Sequence, residues 1–180
     1  RAAEQGDADA QYYLSDLYEY GKGVELDEKK AMGLCLKAAE QGHADAQYSA
    51  GHNYHAGNLV EVDFNKAVYW YQKAADQKNA EAQCWLGLCY EKAEGVEEDC
   101  DKAVLLYRSA AEQGYDEAQY FLGNCYRDMY GVEKDLEQAA AWYQKAAEQG
   151  HAKAQYALAC CYAAGDGVEQ DRELAFTWYQ

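Results

Sequence analysis

Apolar positions along this chain recur at helical intervals, and each run is closed by glycine or a polar turn. Ala10, Leu14 and Tyr18 are spaced by four, as are Ala118, Leu122 and Tyr126, which places each set on one face of a helix. A second kind of run carries Ala31, Ala67, Ala103, Ala139 or Ala175, followed by a pair such as Trp70-Tyr71, Trp142-Tyr143 or Trp178-Tyr179. The two runs alternate, so the pattern predicts pairs of helices joined by short turns. The turns read YGKGVELD from Tyr20 and AGDGVEQD from Ala164. Their glycines end the first helix because glycine enters the left-handed conformation at little cost. Asp27, Asp63, Asp99, Asp135 and Asp171 then stand where an N-cap is needed, and a side-chain oxygen there satisfies an orphan amide. Gly42, Gly114 and Gly150 close the second helix. Lys78 holds that place in the third pair and is expected to cost about 1 kcal/mol if the geometry is kept. The absence of proline fits helices that run unbroken between these stops.

The whole arrangement repeats. KAAEQGHADAQY from Lys37 returns as KAAEQGHAKAQY from Lys145, with further copies starting at Arg1, Lys73 and Ser109, always 36 residues apart. The units are 1–36, 37–72, 73–108, 109–144 and 145–180. A strict period in this range marks a solenoid whose units stack on their neighbours rather than each burying a core of its own. The chain is therefore expected to be all-α, a single array of five helix-turn-helix repeats over residues 1–180. The columns of Ala10 and Tyr18 never change, which suggests a large ring packed over a close backbone approach.

Composition narrows the function. Of all residues 49% are hydrophobic, yet no apolar run approaches the roughly 20 residues of a membrane span, so no membrane insertion is expected. The net charge of −16, from 32 acidic and 16 basic residues, repels nucleic acid and favours a basic or apolar protein partner. Seven cysteines lack a repeating CxxC pair, and Cys89, Cys125 and Cys161 share one column, as small buried hydrophobes do. His52 and His55 lie three apart on one helical face, a spacing that holds metals. No third ligand accompanies them, so solvent or stacking contacts are expected, with no metal and no cofactor. His43 and His151 share a junction column with Asp7, Asn79 and Tyr115, where Asp or Asn would cap the first helix. The Gly-Lys-Gly at residue 21 is a helix stop rather than a phosphate cradle, and no catalytic grouping is present. The chain is not expected to be an enzyme.

The full pattern, AQYYLSDLYEYGKGVELDEKKAMGLCLKAAEQG from Ala10 and AQYALACCYAAGDGVEQDRELAFTWYQ from Ala154, resembles the Sel-1-like repeat, a relative of the tetratricopeptide repeat. The resemblance covers the whole chain and implies a right-handed superhelical solenoid that serves as a protein scaffold. The departures are local: Leu59 replaces the second turn glycine, Ala93 and Met129 replace the first, and Leu34 and Leu106 replace Trp. One secreted branch of the family is stapled by disulfides. Here the corresponding positions are Ala39 and Gln47, so that staple is missing.

Columns that vary between repeats on an outward face are free for binding. The column of Tyr13 holds Ser49, Trp85, Phe121 and Ala157; that of Asp16 holds His52, Leu88, Asn124 and Cys160; Tyr20 lies one turn further on. In stacked helical hairpins the first helices line the concave wall. Tyr13, Asp16, Tyr20, Ser49, His52, Trp85, Leu88, Phe121 and Asn124 are thus the candidate contacts for a peptide or protein, with aromatic rings as anchors. The other reading of these rings is that they fill gaps between neighbouring first helices. TWYQ at the end of the chain leads, by the pattern, into RAAEQG at its beginning. Both termini are expected to interrupt a second helix, and head-to-tail self-association into a longer array or filament is the alternative function.

Overall fold

The helices begin and end where side chains and left-handed residues satisfy their free backbone groups. In the computed structural model, which describes residues 1–180, two compact units are formed, residues 1–97 and 98–180. The first holds a 3-10 turn at Ala3–Gln5 and helices α1 (Ala8–Tyr20), α2 (Glu28–Glu40), α3 (Ala44–Ala56), α4 (Phe64–Asp76) and α5 (Ala80–Lys92). The second holds α6 (Cys100–Glu112), α7 (Asp116–Asp128), α8 (Leu136–Glu148), α9 (Ala152–Ala164) and α10 (Arg172–Tyr179). There are no strands.

All five predicted aspartates cap the even-numbered helices, Asp27 and Asp63 each accepting from the amide three residues on at 3.0 Å. These backbone hydrogen bonds, ahead of the neighbouring lysines, hold the carboxyls of Asp27, Asp63 and Asp99 below the usual range. Their folded-state pKa lies under the unfolded value of about 3.9, so the caps contribute fully above that value and are lost as pH falls through the folded pKa. Thermal stability is expected to decline steadily below about pH 4, and Asp63→Asn should flatten that decline in melts recorded by circular dichroism.

The odd-numbered helices use a mixed set of caps. Asp7 and Asn79 accept from Ala10 and Ala82, and His43 and His151 do the same through Nδ1, at 3.1 Å from the amides of Ala46 and Ala154. An accepting Nδ1 leaves the ring proton on Nε2, which faces Asp9 at 3.4 Å in one case and Glu117 at 3.0 Å in the other. Histidine here is a structural cap, which the sequence pattern had assigned to Asp or Asn.

Ala93 and Met129, at φ 55° and 60°, keep the left-handed stop without glycine, and Lys78 does so at φ 66°. Leu59 is not left-handed, so the turn after α3 abandons that step. Because Lys78 is exposed and strained, Lys78→Gly is expected to stabilise the protein by about 1 kcal/mol in urea denaturation.

Two packing devices go beyond the sequence pattern. A close approach of ring to backbone exists, but the rings are Tyr71 and Tyr143 of second helices, and what they cover is Gly51 and Gly123. A Cβ added at either glycine would lie 2.6 Å from a ring carbon. Tyr54 and Tyr18, by contrast, are half-buried and lie under the ammonium groups of Lys66 and Lys30. The second device is a glutamine seam. Gln47 donates to the carbonyl of Ala39 at 3.0 Å and accepts from Gln77 at 2.7 Å; Gln119 donates to Ala111 at 3.2 Å and accepts from Gln149 at 2.8 Å. Gln11 is bonded in the same way to Ala3 and Gln41. These first-helix glutamines are buried, where an unpaired amide would cost roughly 1–3 kcal/mol. The seam gives the recurring words AAEQG and AQY a physical meaning. All seven cysteines are free, and no helix is long and apolar enough to cross a membrane.

Candidate functional site: clefts between first helices

Successive first helices leave a cleft whose lining changes with the repeat. In the first unit, α1 and α3 enclose about 300 Å³ lined by Asp16, Glu19, Tyr20, Ser49 and His52 among others. Four of the residues singled out from the sequence therefore meet here. Ser49 shares a hydrogen bond with the Tyr12 hydroxyl at 3.1 Å. Partial burial raises the carboxyl pKa of Asp16, which Lys22 offsets only in part, and burial likewise raises that of Glu19. Burial, and then the neighbouring His55, lowers the pKa of His52, so its ring is neutral at pH 7. Tyr13 and Tyr20 are 69% and 61% exposed.

Between α3 and α5 the same space is occupied. The Trp85 indole stands edge-on to the rings of His52 and His55, both at 5.3 Å, and stacks on Tyr71 at 6.4 Å. Trp85 is half-buried and Leu88 is buried, so both contribute packing to the first unit. His52 and His55 do not converge on a common point: His52 lies against Tyr48 and Trp85, while His55 Nε2 meets Glu94 at 2.8 Å.

In the second unit Phe121 stacks on Tyr107 at 5.2 Å, and Asn124 accepts a hydrogen bond from the Tyr143 hydroxyl at 2.8 Å. Beside them, between α7 and α9, lies a cavity of about 470 Å³. Its origin is visible in the columns: Ala157 and Cys160 hold the places that Trp85 and Leu88 hold in α5. Tyr120, Tyr143 and Tyr156 wall the cavity, and Arg127 stands where the α1/α3 cleft has Glu19. The Arg127 guanidinium binds Asp128 through two bonds, at 2.8 and 2.7 Å. Sequence reading missed this cavity because its signal is the loss of bulk at two positions.

The Tyr71 hydroxyl is buried without a hydrogen-bond partner, whereas its equivalent Tyr143 has Asn124. Tyr71→Phe is therefore expected to stabilise the protein by about 1 kcal/mol and Tyr143→Phe to destabilise it by a similar amount. Paired urea titrations would read the difference, and equal effects of one sign would contradict it.

Comparison with known proteins follows the same periodicity. The family model described as Sel1 repeat matches residues 8–43, 44–79, 80–115, 116–151 and 152–180. The chain is similar to a protective antigen of uropathogenic Escherichia coli strains that displays an SLR fold, at 40% identity and TM-score 0.92 over 98% of its length. It spans 38% of that protein. It is similar also to a Sel1 repeat protein of Oxalobacter formigenes, at 38% identity and TM-score 0.92, covering 97% of this chain and 70% of that one. Immunity protein Pa5087 of Pseudomonas aeruginosa matches at 27% identity and TM-score 0.63, covering 99% of this chain and 68% of that one. A comparison with curated proteins returned no match.

Proposed function

This chain belongs to the Sel1 repeat family, and from that premise we propose that it is a scaffold reading a peptide or protein through the clefts between its first helices. The family is a non-catalytic repeat scaffold whose members typically bind proteins. In this reading the α1/α3 cleft of the first unit takes a basic side chain, and the α7/α9 cavity of the second takes a large apolar one. The observation that carries the proposal is the pair of partly buried carboxyls, Asp16 and Glu19, beside Ser49 and His52. A carboxylate whose charged form is penalised by burial is favoured again by a cation that donates hydrogen bonds to it. The net charge of −16 draws a basic partner toward it. The exposed rings of Tyr13 and Tyr20 supply contact area near this cleft, while Trp85, Leu88, Phe121 and Asn124 shape the faces behind the contacts.

Selection of a displayed random-peptide library on the immobilised chain tests this. Enriched peptides should fall into two classes, one carrying Lys or Arg and one carrying a large apolar residue. Asp16→Asn with Glu19→Gln should remove the basic preference, and Ala157→Trp, which refills the cavity as Trp85 fills its own site, should remove the apolar one. Enriched peptides indifferent to all three substitutions would overturn the reading. Because burial raises both carboxyl pKa values, the affinity for a basic peptide should begin to fall at a higher pH than an ordinary carboxylate, with its pKa of about 4, would dictate. The same shift means that Asp16→Asn should stabilise the free protein at pH 7 while weakening binding, a combination that a purely structural role does not produce.

A further inference from the structure

We infer that the first unit carries a binding site for a divalent transition-metal ion of the zinc type, formed by His55, Cys89 and Glu94. One ligand atom from each, the imidazole nitrogen, the thiol sulfur and a carboxylate oxygen, lies within 4.8 Å of the other two. His55 Nε2 and Glu94 Oε2 are already 2.8 Å apart. Zinc bonds of about 2.0–2.3 Å in a tetrahedron hold such atoms roughly 3.3–3.8 Å from one another, a spacing reached by small side-chain rotations.

The local fold brings these groups together. Ala93 ends α5 in the left-handed conformation, and the amides of Ala93 and Glu94 both return to the Cys89 carbonyl, that of Glu94 at 3.0 Å. The chain doubles back at this stop, which carries the Glu94 side chain over Cys89. His55 comes from α3, its ring held edge-on by Phe64 at 5.4 Å and Trp85 at 5.3 Å. The His55 ring is therefore held by packing before any ion arrives, which is what a metal site requires of its surroundings.

The chemistry selects the ion. One thiolate, one carboxylate and one neutral imidazole carry two negative charges, which a divalent cation balances. Sulfur with nitrogen prefers zinc or cobalt to magnesium or calcium. The side chains of His55 and Glu94 are 15% and 26% exposed, which leaves a fourth position for water, as in three-ligand zinc sites.

The grouping is peculiar to this junction. Across the repeats the His55 column otherwise holds Glu19, Glu91, Arg127 and Ala163, and the Glu94 column holds Lys22, Asn58, Tyr130 and Asp166. Between α7 and α9 the equivalent trio is Arg127, Cys161 and Asp166, in which a guanidinium takes the place of the ligand. An ion pair of His55 with Glu94, with Cys89 buried as Cys125 and Cys161 are in its column, accounts for each residue separately; the metal reading accounts as well for the approach of the Cys89 sulfur to both polar atoms. An ion bound here would tie α3 to α5 and so join two repeats of the first unit, a metal staple in a chain whose cysteines form no disulfides.

Cobalt(II) titrated into the full chain under reducing conditions tests the site, with zinc(II) as competitor. The expected result is one equivalent bound, with a thiolate-to-cobalt charge-transfer band in the near ultraviolet that zinc abolishes. Cys89→Ser should remove the band while Cys160→Ser leaves it intact. His55→Gln and Glu94→Gln should each weaken binding by more than about 100-fold, beyond the usual cost of changes outside the ligand shell. Glu94 is partly exposed, so Glu94→Gln is expected to fold even if Cys89→Ser does not. Zinc should then raise the melting temperature of the parent chain and leave that of Glu94→Gln unmoved. Absence of the charge-transfer band, or a band that survives Cys89→Ser, would overturn the assignment, as would equal zinc stabilisation of the parent and Glu94→Gln.

Discussion

Gly167→Ala is expected to destabilise the second unit by roughly 2–5 kcal/mol, combining backbone strain with overpacking. Gly167 sits at φ 72°, a conformation that strains any side chain. A Cβ there would also collide with the carbonyl of Leu136 and stand 2.7 Å from the amide nitrogen of Glu137. Those atoms belong to the first turn of α8, which is fixed by its Asp135 cap, so neither side has a flexible group that can yield. Gly23 is the control: it has φ 78°, but a Cβ added there would meet nothing within 4 Å. Gly23→Ala should therefore show the backbone strain alone, about 1–2 kcal/mol. Equal losses at the two positions in urea denaturation would mean that the approach to α8 carries no energy.

Tyr143→Ala is expected to cost about 3–5 kcal/mol, the range for deleting a large buried ring. Tyr143 is almost wholly buried, packs onto Gly123 and donates its hydroxyl hydrogen to Asn124. It also walls the neighbouring cavity, so its removal extends an existing space that the surroundings do not close. A double-mutant cycle separates ring from backbone. Gly123→Ala alone should cost about 1–3 kcal/mol by overpacking, and clearly less once Tyr143 is alanine, when the Ala139 carbonyl oxygen at 3.2 Å is the tight contact that remains. Additive losses would show that ring and glycine do not press on one another. Tyr179→Ala, at an exposed counterpart, should have a much smaller effect.

What could be read in advance was what the chain decides locally. The helix pairs, the aspartate caps and the glycine stops each depend on a few adjacent residues, and Lys78, Ala93 and Met129 show the backbone holding its left-handed step even where the residue type resists it. Contacts between distant residues left weaker traces. The glutamine of AQY looks like a surface residue until the carbonyl it serves, eight positions earlier, is seen to be buried with it. His52 and His55 share a helical face in sequence, but His55 finds its hydrogen-bond partner in Glu94, beyond an intervening helix and just past a left-handed stop, with the Cys89 sulfur within 4.8 Å. Trp85 is consistent with a partner's anchor and with a filler of space, since both demand a large ring; half-buried, it packs against His52, His55 and Tyr71 while keeping part of its surface accessible.

The glutamine seam also bears on how such a chain changes over generations. Each of its bonds joins residues eight or thirty positions apart, so every bond is specified within less than one repeat length. A crossover between the near-identical stretches encoding KAAEQGHADAQY and KAAEQGHAKAQY restores the same joint in its product, whatever number of modules lay between them. Gene-level gain or loss of whole modules then yields a foldable polypeptide at once, while shifts of any other length sever the seam. Since each cleft lies between the first helices of two successive modules, a new junction brings together two walls that were not neighbours before, and the recombined chain gains a cleft with a lining of its own without any point substitution.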